Sequence, residues 1–328
     1  MQKINSDRIF SITDSQDFER LSLNIFNHQV EYCEVYGRFV NHLGVDPSRV
    51  KNSDQIPFLP IEFFKNHRIV SGKAETTEIF SSSGTTGMTQ SKHYVSDISI
   101  YKNSYRKAFE LFYGDIRNYA ILALLPSYLE RGGSSLIYMV DDLIAQSGNP
   151  LSGYFLYDHQ RLEDTLNRLK KTGTPTLLIG VTYALLDFAK SRALEFPELI
   201  VMETGGMKGQ RKEMLRTELH DILCKGFGVS EIHSEYGMTE LLSQAYSKGK
   251  GKFNCPPWMK VKIRDTNDPM TLLEEGQTGG VNIIDLANIN SCSFIASQDL
   301  GKRFKDESFE ILGRFDNSDI RGCNLLVQ

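Results

Sequence analysis

Residues 176–202 of this chain, TLLIGVTYALLDFAKSRALEFPELIVM, indicate its fold class most directly. The segments 176–180 and 199–202 are apolar along their length, which is typical of strands that are buried on both faces of a sheet. Between them, the spacing of apolar residues over 182–192 predicts a helix. A buried strand, a helix and a second buried strand in this order indicate a parallel sheet covered by helices.

The same alternation continues on both sides of this segment. The sequence predicts helices over 15–30, 31–42, 98–112, 134–146, 158–171 and 208–224, and strands over 78–80, 93–95 and 119–125. Pro57 and Pro60 exclude a regular helix or a central strand over 54–64, so an extended apolar connector is expected there. We therefore predict an α/β fold with a mainly parallel sheet flanked by helices, and ligands at the carboxyl ends of its strands.

Beyond residue 241 the pattern changes to short strands joined by polar turns. These strands are predicted over 258–264, 280–286, 293–296 and 309–312, and they are expected to form a small antiparallel β lobe. We accordingly divide the chain into an α/β core over residues 1–250, a small β subdomain of the same unit over 251–312, and a tail over 313–328.

The composition is that of an ordinary soluble globular protein, with 40% hydrophobic and 24% charged residues. A net charge of -4 argues against nucleic acid as a partner, because a polyanion is bound by excess positive charge. No apolar run approaches the roughly 20 residues that span a bilayer, so no membrane span is expected. The cysteines are scattered without a C-x-x-C pair, which indicates neither a disulfide framework nor a zinc site and fits a cytoplasmic location.

A run of hydroxyls and glycines, SSSGTTGMTQSKH, occupies residues 81–93, beside the short strands predicted over 78–80 and 93–95. Gly84 and Gly87 let the main chain approach a ligand, and the hydroxyls and amides can donate hydrogen bonds to phosphate oxygens. Lys92 adds a positive charge. The run is therefore a candidate phosphate cradle, and a flexible surface turn is the alternative.

Two further segments follow predicted strands. Residues 203–209, ETGGMKG, permit a flat turn before the next helix, and a simple turn between strand and helix is the alternative. Residues 234–240, SEYGMTE, combine a ring, a hydroxyl and a carboxylate within a few positions. Tyr236 can cover a purine, Thr239 can bond a phosphate, and Glu240 can hold Mg²⁺, a cation that favours oxygen ligands.

Taken in order, these three motifs, Asp299 and the turn GRFD over 313–316 resemble the core motifs of the adenylate-forming superfamily. Its members are the acyl-CoA synthetases, the luciferases and the adenylation domains of peptide synthetases. The resemblance spans residues 78–322. It implies that ATP, with Mg²⁺, activates a carboxylate and that an acyl-adenylate and pyrophosphate are formed.

The resemblance also implies which residues hold the phosphates. The β- and γ-phosphates would be bound by the glycine-rich loop, namely by Ser82, Ser83, Gly84, Thr85, Thr86 and Gly87. Many members have Pro-Lys after the second glycine, where this chain has Thr89 and Gln90, and the next lysine is Lys92. By the same resemblance, Thr239 would contact the α-phosphate. Thr239 and Lys92 are the candidate catalytic residues in this region.

The other parts of the nucleotide are assigned by the same resemblance. Gly205 and Gly206 would pass beside the adenine, and Tyr236, followed by Gly237, would stack on it. Glu240 would bind Mg²⁺, while Asp299 and Arg314 would bind the ribose hydroxyls.

Most members have a C-terminal lid domain with a catalytic lysine after the Gly-Arg-x-Asp turn. Only residues 317–328 follow that turn here, so the lid is expected to be absent. The acyl-protein synthetases of bacterial luminescence operons are a similarly short branch. The chain looks like this branch in residues 203–208, ETGGMK, and above all in residues 318–323, SDIRGC.

Members of that branch activate a fatty acid and move it to a cysteine near their own C-terminus. The match implies that Cys323 is the acyl acceptor, acting as a thiolate that nearby Arg321 favours. The implied substrate is a fatty or other apolar carboxylic acid. The implied partners are an acyl reductase, a thioesterase or a carrier protein.

Two other functions remain open on the sequence. One is an acyl or aryl ligase that delivers to coenzyme A or a carrier protein, in the manner of phenylacetate-CoA ligases. The other is a subunit that binds a nucleotide without catalysis.

Overall fold

The computed structural model describes residues 6–82, 89–126, 132–191, 194–205 and 214–314. Its helices are α1 (Ser15–Tyr32), α2 (Glu34–His42), α3 (Phe63–Asn66), α4 (Ile98–Tyr113), α5 (Ser135–Ser147), α6 (His159–Thr172), α7 (Thr182–Ser191) and α8 (Arg216–Phe227). Its strands are β1 (Leu59–Pro60), β2 (Glu78–Ser81), β3 (Lys92–Val95), β4 (Ala120–Leu124), β5 (Gly153–Tyr154), β6 (Thr176–Val181), β7 (Ile200–Thr204), β8 (His233–Tyr236), β9 (Ala245–Ser247), β10 (Phe253–Asn254), β11 (Met259–Arg264), β12 (Thr278–Asp285), β13 (Phe294–Arg303) and β14 (Phe309–Arg314).

Within these residues one large sheet runs through the molecule. Its strands follow the order β11-β12-β13-β14-β10-β9-β8-β7-β6-β4-β5, and β1 pairs with β13 beside this path. The strands from β5 to β8 are parallel, and those from β9 to β14 pair antiparallel. The predicted α/β fold is thus confirmed, with a parallel core and an antiparallel part that continues the same sheet. Strands β2 and β3 form a separate hairpin.

The parallel strands lie at the centre of the core. Every residue of β4 and of β6 is buried, which explains why the sequence of both strands is apolar rather than alternating. Several of the flanking helices begin at side-chain caps. Asp97 accepts from the amide of Ser99 at the start of α4, and Asp158 accepts from that of Arg161 at the start of α6. The part of the chain that the structure describes contains no helix of the length and apolar character needed to cross a bilayer.

Several boundaries differ from the prediction. Helix α2 begins at Glu34 rather than at residue 31, because Cys33 has an extended backbone that separates α1 from α2. The connector over 54–64 is also not wholly extended, since α3 begins within it, after Pro60. Strand β1 pairs with Ile295 and Ala296 of β13, whereas β14 pairs with β13 only from Asp299 onward. Strand β1 therefore pairs with the part of β13 that precedes its pairing with β14.

Candidate functional site

Two of the predicted motifs lie side by side at the carboxyl edge of the parallel strands. Strands β7 and β8 are parallel, and their pairing places Thr204 opposite Glu235. The hydroxyl of Thr204 donates to a carboxylate oxygen of Glu235 over 2.6 Å. Gly205 follows with a positive φ of 69°, and its carbonyl accepts from the Thr182 hydroxyl over 2.6 Å. Both turns are thus anchored to neighbouring strand ends.

Gly237 is required by the position of Glu235. A Cβ at residue 237 would lie 2.4 Å from one carboxylate oxygen of Glu235. Glu235 is buried, and its hydrogen bond to Thr204 restricts where that carboxylate can move. A larger residue would therefore displace the backbone between Tyr236 and Glu240.

For ATP, the substrate that the family resemblance implies, we expect Gly237→Ala to raise the KM about tenfold, because a small displacement of positioning residues has a large kinetic cost. Gly132→Ala is the matched control, since a Cβ there meets nothing within 4 Å. Steady-state kinetics of AMP formation would measure both. Equal KM values for the two variants would show that the segment tolerates the added methyl group.

Tyr236, Asp299 and Arg314 form a hydrogen-bonded group. The Tyr236 hydroxyl donates to one carboxylate oxygen of Asp299 over 2.7 Å, and Arg314 Nε donates to the other over 3.1 Å. Asp299 is buried, whereas the Arg314 side chain is largely exposed. The contact between Asp299 and Arg314 follows from the strand register, because β13 and β14 pair these two residues.

The contact between Tyr236 and Asp299 requires a strongly curled sheet. Three strands, β9, β10 and β14, lie between β8 and β13 in the sheet order. In a flat sheet, four strand spacings would separate these two residues by about 19 Å. Curling brings them into contact, so the antiparallel strands close over the carboxyl edge of the parallel ones.

The ring of Tyr236 is fixed by aromatic neighbours. It lies 5.9 Å from the ring of Phe253 and 5.6 Å from that of Phe309. Burial raises the pKa of its hydroxyl well above the usual value, and the charge of Asp299 acts in the same direction. The hydroxyl therefore stays protonated and remains a donor to Asp299.

The hairpin of β2 and β3 is joined to the Tyr236–Glu240 segment by His93. His93 Nδ1 lies 2.9 Å from the carbonyl oxygen of Thr239, which can only accept, so Nδ1 carries the proton. Burial lowers the pKa of His93 to about 4, and the ring is neutral at pH 7. At the loop base, the Ser91 amide donates to Ser82 Oγ over 3.0 Å. β3 and the residue before it thus contact both Thr239 and the base of the loop.

Glu240 has a buried carboxylate without an ion-pair partner among the described residues. Its side chain forms no ion pair within 4.0 Å with any residue that the structure describes. Burial raises its pKa, and Ser91, Arg314 and Lys65 oppose that rise. The backbone carbonyl of Glu240 accepts from Asn288 over 2.7 Å, which fixes the position of the residue.

The surroundings of Glu240 fit a magnesium ion that is shared with a substrate. Mg²⁺ is commonly held by one or two carboxylates together with phosphate oxygens, rather than by a cage of protein ligands. The described residues contain no cluster of three or more possible metal ligands. A single buried carboxylate beside the candidate phosphate cradle suits the first arrangement.

Asp285 holds the chain immediately after this segment. One of its carboxylate oxygens accepts from the amides of Leu242 and Ser243 at 2.8 and 3.0 Å. The other accepts from the Ser243 hydroxyl at 2.5 Å and from the Ala287 amide at 3.1 Å. The carboxylate is fully buried. It therefore connects the end of β12 to the residues that follow Glu240.

Known proteins resemble this chain in structure rather than in sequence. No family model matches it, and no curated protein matches it. The structure of 2-hydroxyisobutyryl-CoA ligase in the postadenylation state with 2-HIB-AMP superposes with a TM-score of 0.69 at 12% identity, covering 97% of this chain and 72% of the ligase. This chain has the fold of the adenylate-forming acyl-CoA ligases.

Other structures with this fold agree. The open conformation of 2-hydroxyisobutyryl-CoA ligase with 2-HIB-AMP and CoA has a TM-score of 0.68 at 12% identity, covering 92% of this chain and 70% of the ligase. ATP-bound MatB from Rhodopseudomonas palustris has a TM-score of 0.55 at 18% identity, covering 75% of this chain. The match covers 49% of MatB, so this chain spans about half of that protein.

In this fold, the structure brings together a subset of the residues that the sequence singled out. Gly205, Tyr236, Gly237, Thr239, Glu240, Asp299 and Arg314 meet around the carboxyl edge of the parallel strands, and Ser82 and Lys92 lie at the base of the glycine-rich loop. The predicted site residues Ser83, Gly84, Thr85, Thr86, Gly87, Gly206 and Cys323 lie outside the described residues.

Sequence reasoning missed His93, Glu235 and Asp285. His93 and Glu235 lie within the stretches 81–93 and 234–240, where no role was assigned to them, and Asp285 lies outside every motif. For His93 a signal was available, because the period of two in a strand places it on the same face as the buried Val95. A polar residue on a buried face must find a partner, and here that partner is Thr239.

Proposed function

We propose that this protein uses ATP to activate a fatty or other apolar carboxylic acid to an acyl-adenylate. The observation that supports this most is the convergence of Tyr236, Asp299, Arg314 and Glu240 at one edge of a sheet that has the fold of acyl-CoA ligases. These side chains come from separate parts of the chain. Together they offer a ring, ribose-binding groups and a metal-binding carboxylate.

The proposed reaction is an in-line displacement at phosphorus. A carboxylate oxygen of the acid forms a bond to the α-phosphorus, the bond from that phosphorus to the bridging oxygen breaks, and the electron pair leaves with pyrophosphate. No proton is transferred. Because two anions react, the site must offset negative charge. When bound at Glu240, Mg²⁺ would supply part of that positive charge.

The other residues act by positioning the nucleotide. The fixed ring of Tyr236 would stack on the adenine, while Asp299 would accept from ribose hydroxyls and Arg314 would donate to them. Thr239 would donate its hydroxyl to the α-phosphate, and the bond from His93 to its carbonyl would hold that residue in place. Lys92, which is exposed beside the loop base, would face the phosphates.

The second proposed step transfers the acyl group to Cys323. Its thiolate attacks the carbonyl carbon, a carbon–sulfur bond forms, and the bond to the phosphate oxygen of AMP breaks. The cysteines that the structure describes are poor alternatives. Burial raises the pKa of Cys33, Cys224, Cys255 and Cys292, which keeps these thiols protonated.

Transfer to coenzyme A or a carrier protein is the competing second step. The bound CoA of 2-hydroxyisobutyryl-CoA ligase, which shares the fold, is the observation that favours it. The acyl-adenylate step is common to both, so the acceptor alone distinguishes them. After transfer to Cys323, a partner such as an acyl reductase or a thioesterase would receive the acyl group.

Intact-mass spectrometry tests the proposal. The protein is incubated with Mg²⁺, ATP and a panel of carboxylic acids from short aryl to long alkyl, and is then treated with hydroxylamine, which cleaves thioesters. We expect a gain of one acyl group from an apolar acid, which hydroxylamine removes and which maps to Cys323. Cys323→Ser is expected to stay unlabelled and to release a single burst of pyrophosphate as acyl-AMP accumulates, without sustained AMP formation, and Cys224→Ser is the matched control that keeps the label.

The alternatives give different results. AMP formation with an apolar acid but no label, together with normal turnover of Cys323→Ser on coenzyme A, would replace the self-acylation step by a CoA ligase. Absence of both AMP and label with every acid would contradict the adenylation proposal itself.

A further inference from the structure

A groove of about 510 Å³ lies beside the base of the glycine-rich loop. One wall is formed by residues 64–68, in α3 and just after it, and the other by Thr89, Gln90, Lys92 and Tyr94. The volume is within the range of about 300–1,000 Å³ that is typical of small-molecule sites. No sequence motif singled out the first wall.

The groove is strongly basic. Lys65, Arg68 and Lys92 line it, and no aspartate or glutamate is among its lining residues. None of the three cations forms an ion pair within 4.0 Å with a residue in the described ranges. The chain as a whole has a net charge of -4, so three unpaired cations around one groove run against its overall charge. Such a site attracts a multiply charged anion.

Arg68 is held in place within this groove. Its guanidinium lies 5.1 Å from the centre of the Tyr94 ring, and Nη2 donates to the Thr76 hydroxyl over 2.8 Å. These contacts orient the planar group and leave further N–H donors for a ligand. A guanidinium that is fixed in this way is suited to binding phosphate oxygens in pairs.

The groove adjoins the candidate nucleotide site. Lys92 pairs with Ser81 across the hairpin, one residue before Ser82 of the loop. On the other wall, buried Phe64 packs its ring against His93 at 5.8 Å, and His93 bonds to Thr239. The charge of Lys65 also acts on the carboxylate of Glu240, against the effect of burial. The groove therefore lies at the base of the loop, close enough to Glu240 for the charge of Lys65 to act on its carboxylate.

We propose that Lys65, Arg68 and Lys92 bind the diphosphate end of the nucleoside triphosphate, and retain it as pyrophosphate after the α-phosphorus has reacted. This inference rests on the proposed function and adds to it a set of charges outside the glycine-rich loop. Lys65 and Arg68 supply positive charge from the α3 segment, in a chain that has Thr89 and Gln90 within the loop. The negative charge that develops on the leaving group is then offset on two sides.

A diphosphate group also occurs in coenzyme A, so the test uses both ligands. Equilibrium dialysis of the full chain with radiolabelled pyrophosphate at fixed Mg²⁺, without nucleotide or acid, gives the Kd for the diphosphate alone. The same dialysis with labelled coenzyme A tests the other source. The variants are Lys65→Gln, Arg68→Gln and the two combined. Lys73→Gln is the matched control, because Lys73 is an exposed lysine that does not line the groove.

We expect the double variant to raise the Kd for pyrophosphate by about tenfold or more, and Lys73→Gln to change it less than about twofold, because only direct charge-assisted contacts are lost. Lys65→Arg should retain binding. AMP has no β-phosphate, so its Kd should be nearly unchanged in every variant. A melting temperature close to that of the unmodified chain shows that each variant is folded.

Two results would overturn the inference. One is an unchanged Kd for pyrophosphate in the double variant. The other is a groove that binds coenzyme A through Lys65 and Arg68 but does not bind pyrophosphate. Acid-dependent AMP formation is measured separately on the same proteins. A chain that forms AMP but binds pyrophosphate equally well in all variants would lose only this inference. A chain that binds pyrophosphate through Lys65 and Arg68 but forms no AMP would lose only the proposed function.

Discussion

Glu240→Gln is expected to lower acid-dependent AMP formation by about 100-fold or more, because the metal contributes several kcal/mol to the stabilisation of the reacting phosphate. Glutamine keeps the size of the side chain but removes its negative charge. Since burial already disfavours that charge, the neutral side chain should not destabilise the fold. The loss should therefore appear in kcat and in the Mg²⁺ dependence rather than in the melting temperature.

The measurement is initial-rate AMP formation at a series of Mg²⁺ concentrations. A higher Mg²⁺ requirement in the variant would identify Glu240 as a metal ligand, whereas a uniform loss would indicate a different role. Glu274→Gln is the control, since Glu274 is an exposed carboxylate in the turn before β12. Normal adenylation by Glu240→Gln would show that the metal assignment is wrong.

Asp285→Ala is expected to lower the free energy of unfolding by about 3–5 kcal/mol at pH 7, because buried donors without an acceptor cost about 1–3 kcal/mol each. The variant leaves three backbone amides and the Ser243 hydroxyl without their acceptor. These groups lie in the segments after Glu240 and after β12. For a protein of ordinary stability, this loss is a large part of the total free energy of unfolding.

The difference in the free energy of unfolding between the native protein and Asp285→Ala depends on pH, because the Asp285 carboxylate titrates. Burial raises the pKa of Asp285 to about 6, from an ordinary value of 3.8. The folded chain therefore binds this proton more tightly than the unfolded chain, and stability from this group is gained as pH falls from 6 toward 3.8. Between pH 7 and pH 5, the gap between the native protein and Asp285→Ala should widen by about 1 kcal/mol.

Urea denaturation at both pH values measures the effect. Asp265→Ala is a useful control, because Asp265 also accepts from two backbone amides but lies near the surface, so a smaller loss is expected. A loss in Asp285→Ala no larger than that of the control would mean that the freed amides find other acceptors. A gap that narrows toward pH 5 would contradict the raised pKa.

Much of the secondary structure was predictable because its signals are local. Helices α4 and α6 lie within a residue or two of the predicted bounds, since apolar spacing and an aspartate cap are both contained in a few consecutive residues. The buried strands β4, β6 and β7 were predicted for the same reason. Strands β5, β9 and β10, which have two or three residues each, were not, because their strand geometry depends on their pairing partners.

The candidate site likewise contains residues that could be predicted from the sequence and residues that could not. The sequence was sufficient to single out the motif residues Tyr236, Glu240, Asp299 and Arg314, because a motif is recognised from residue types and their order along the chain. The basic groove was not predicted, since Lys65 and Arg68 lie just after the connector predicted over 54–64, in a stretch to which the sequence assigned no role. The cations of the groove come together only when α3 packs against β3.

By itself, the sequence determined that the chain alternates strands and helices, that the core of its sheet is parallel, and which side chains are chemically suited to a nucleotide. Only the tertiary structure decided that Tyr236 bonds to Asp299, that His93 bonds to Thr239, and that Asp285 holds the residues after Glu240. The physical reason is distance along the chain. A helix cap or a buried strand is encoded within a few residues, whereas these contacts join residues that lie 42 to 146 positions apart and meet only when the sheet curls and packs.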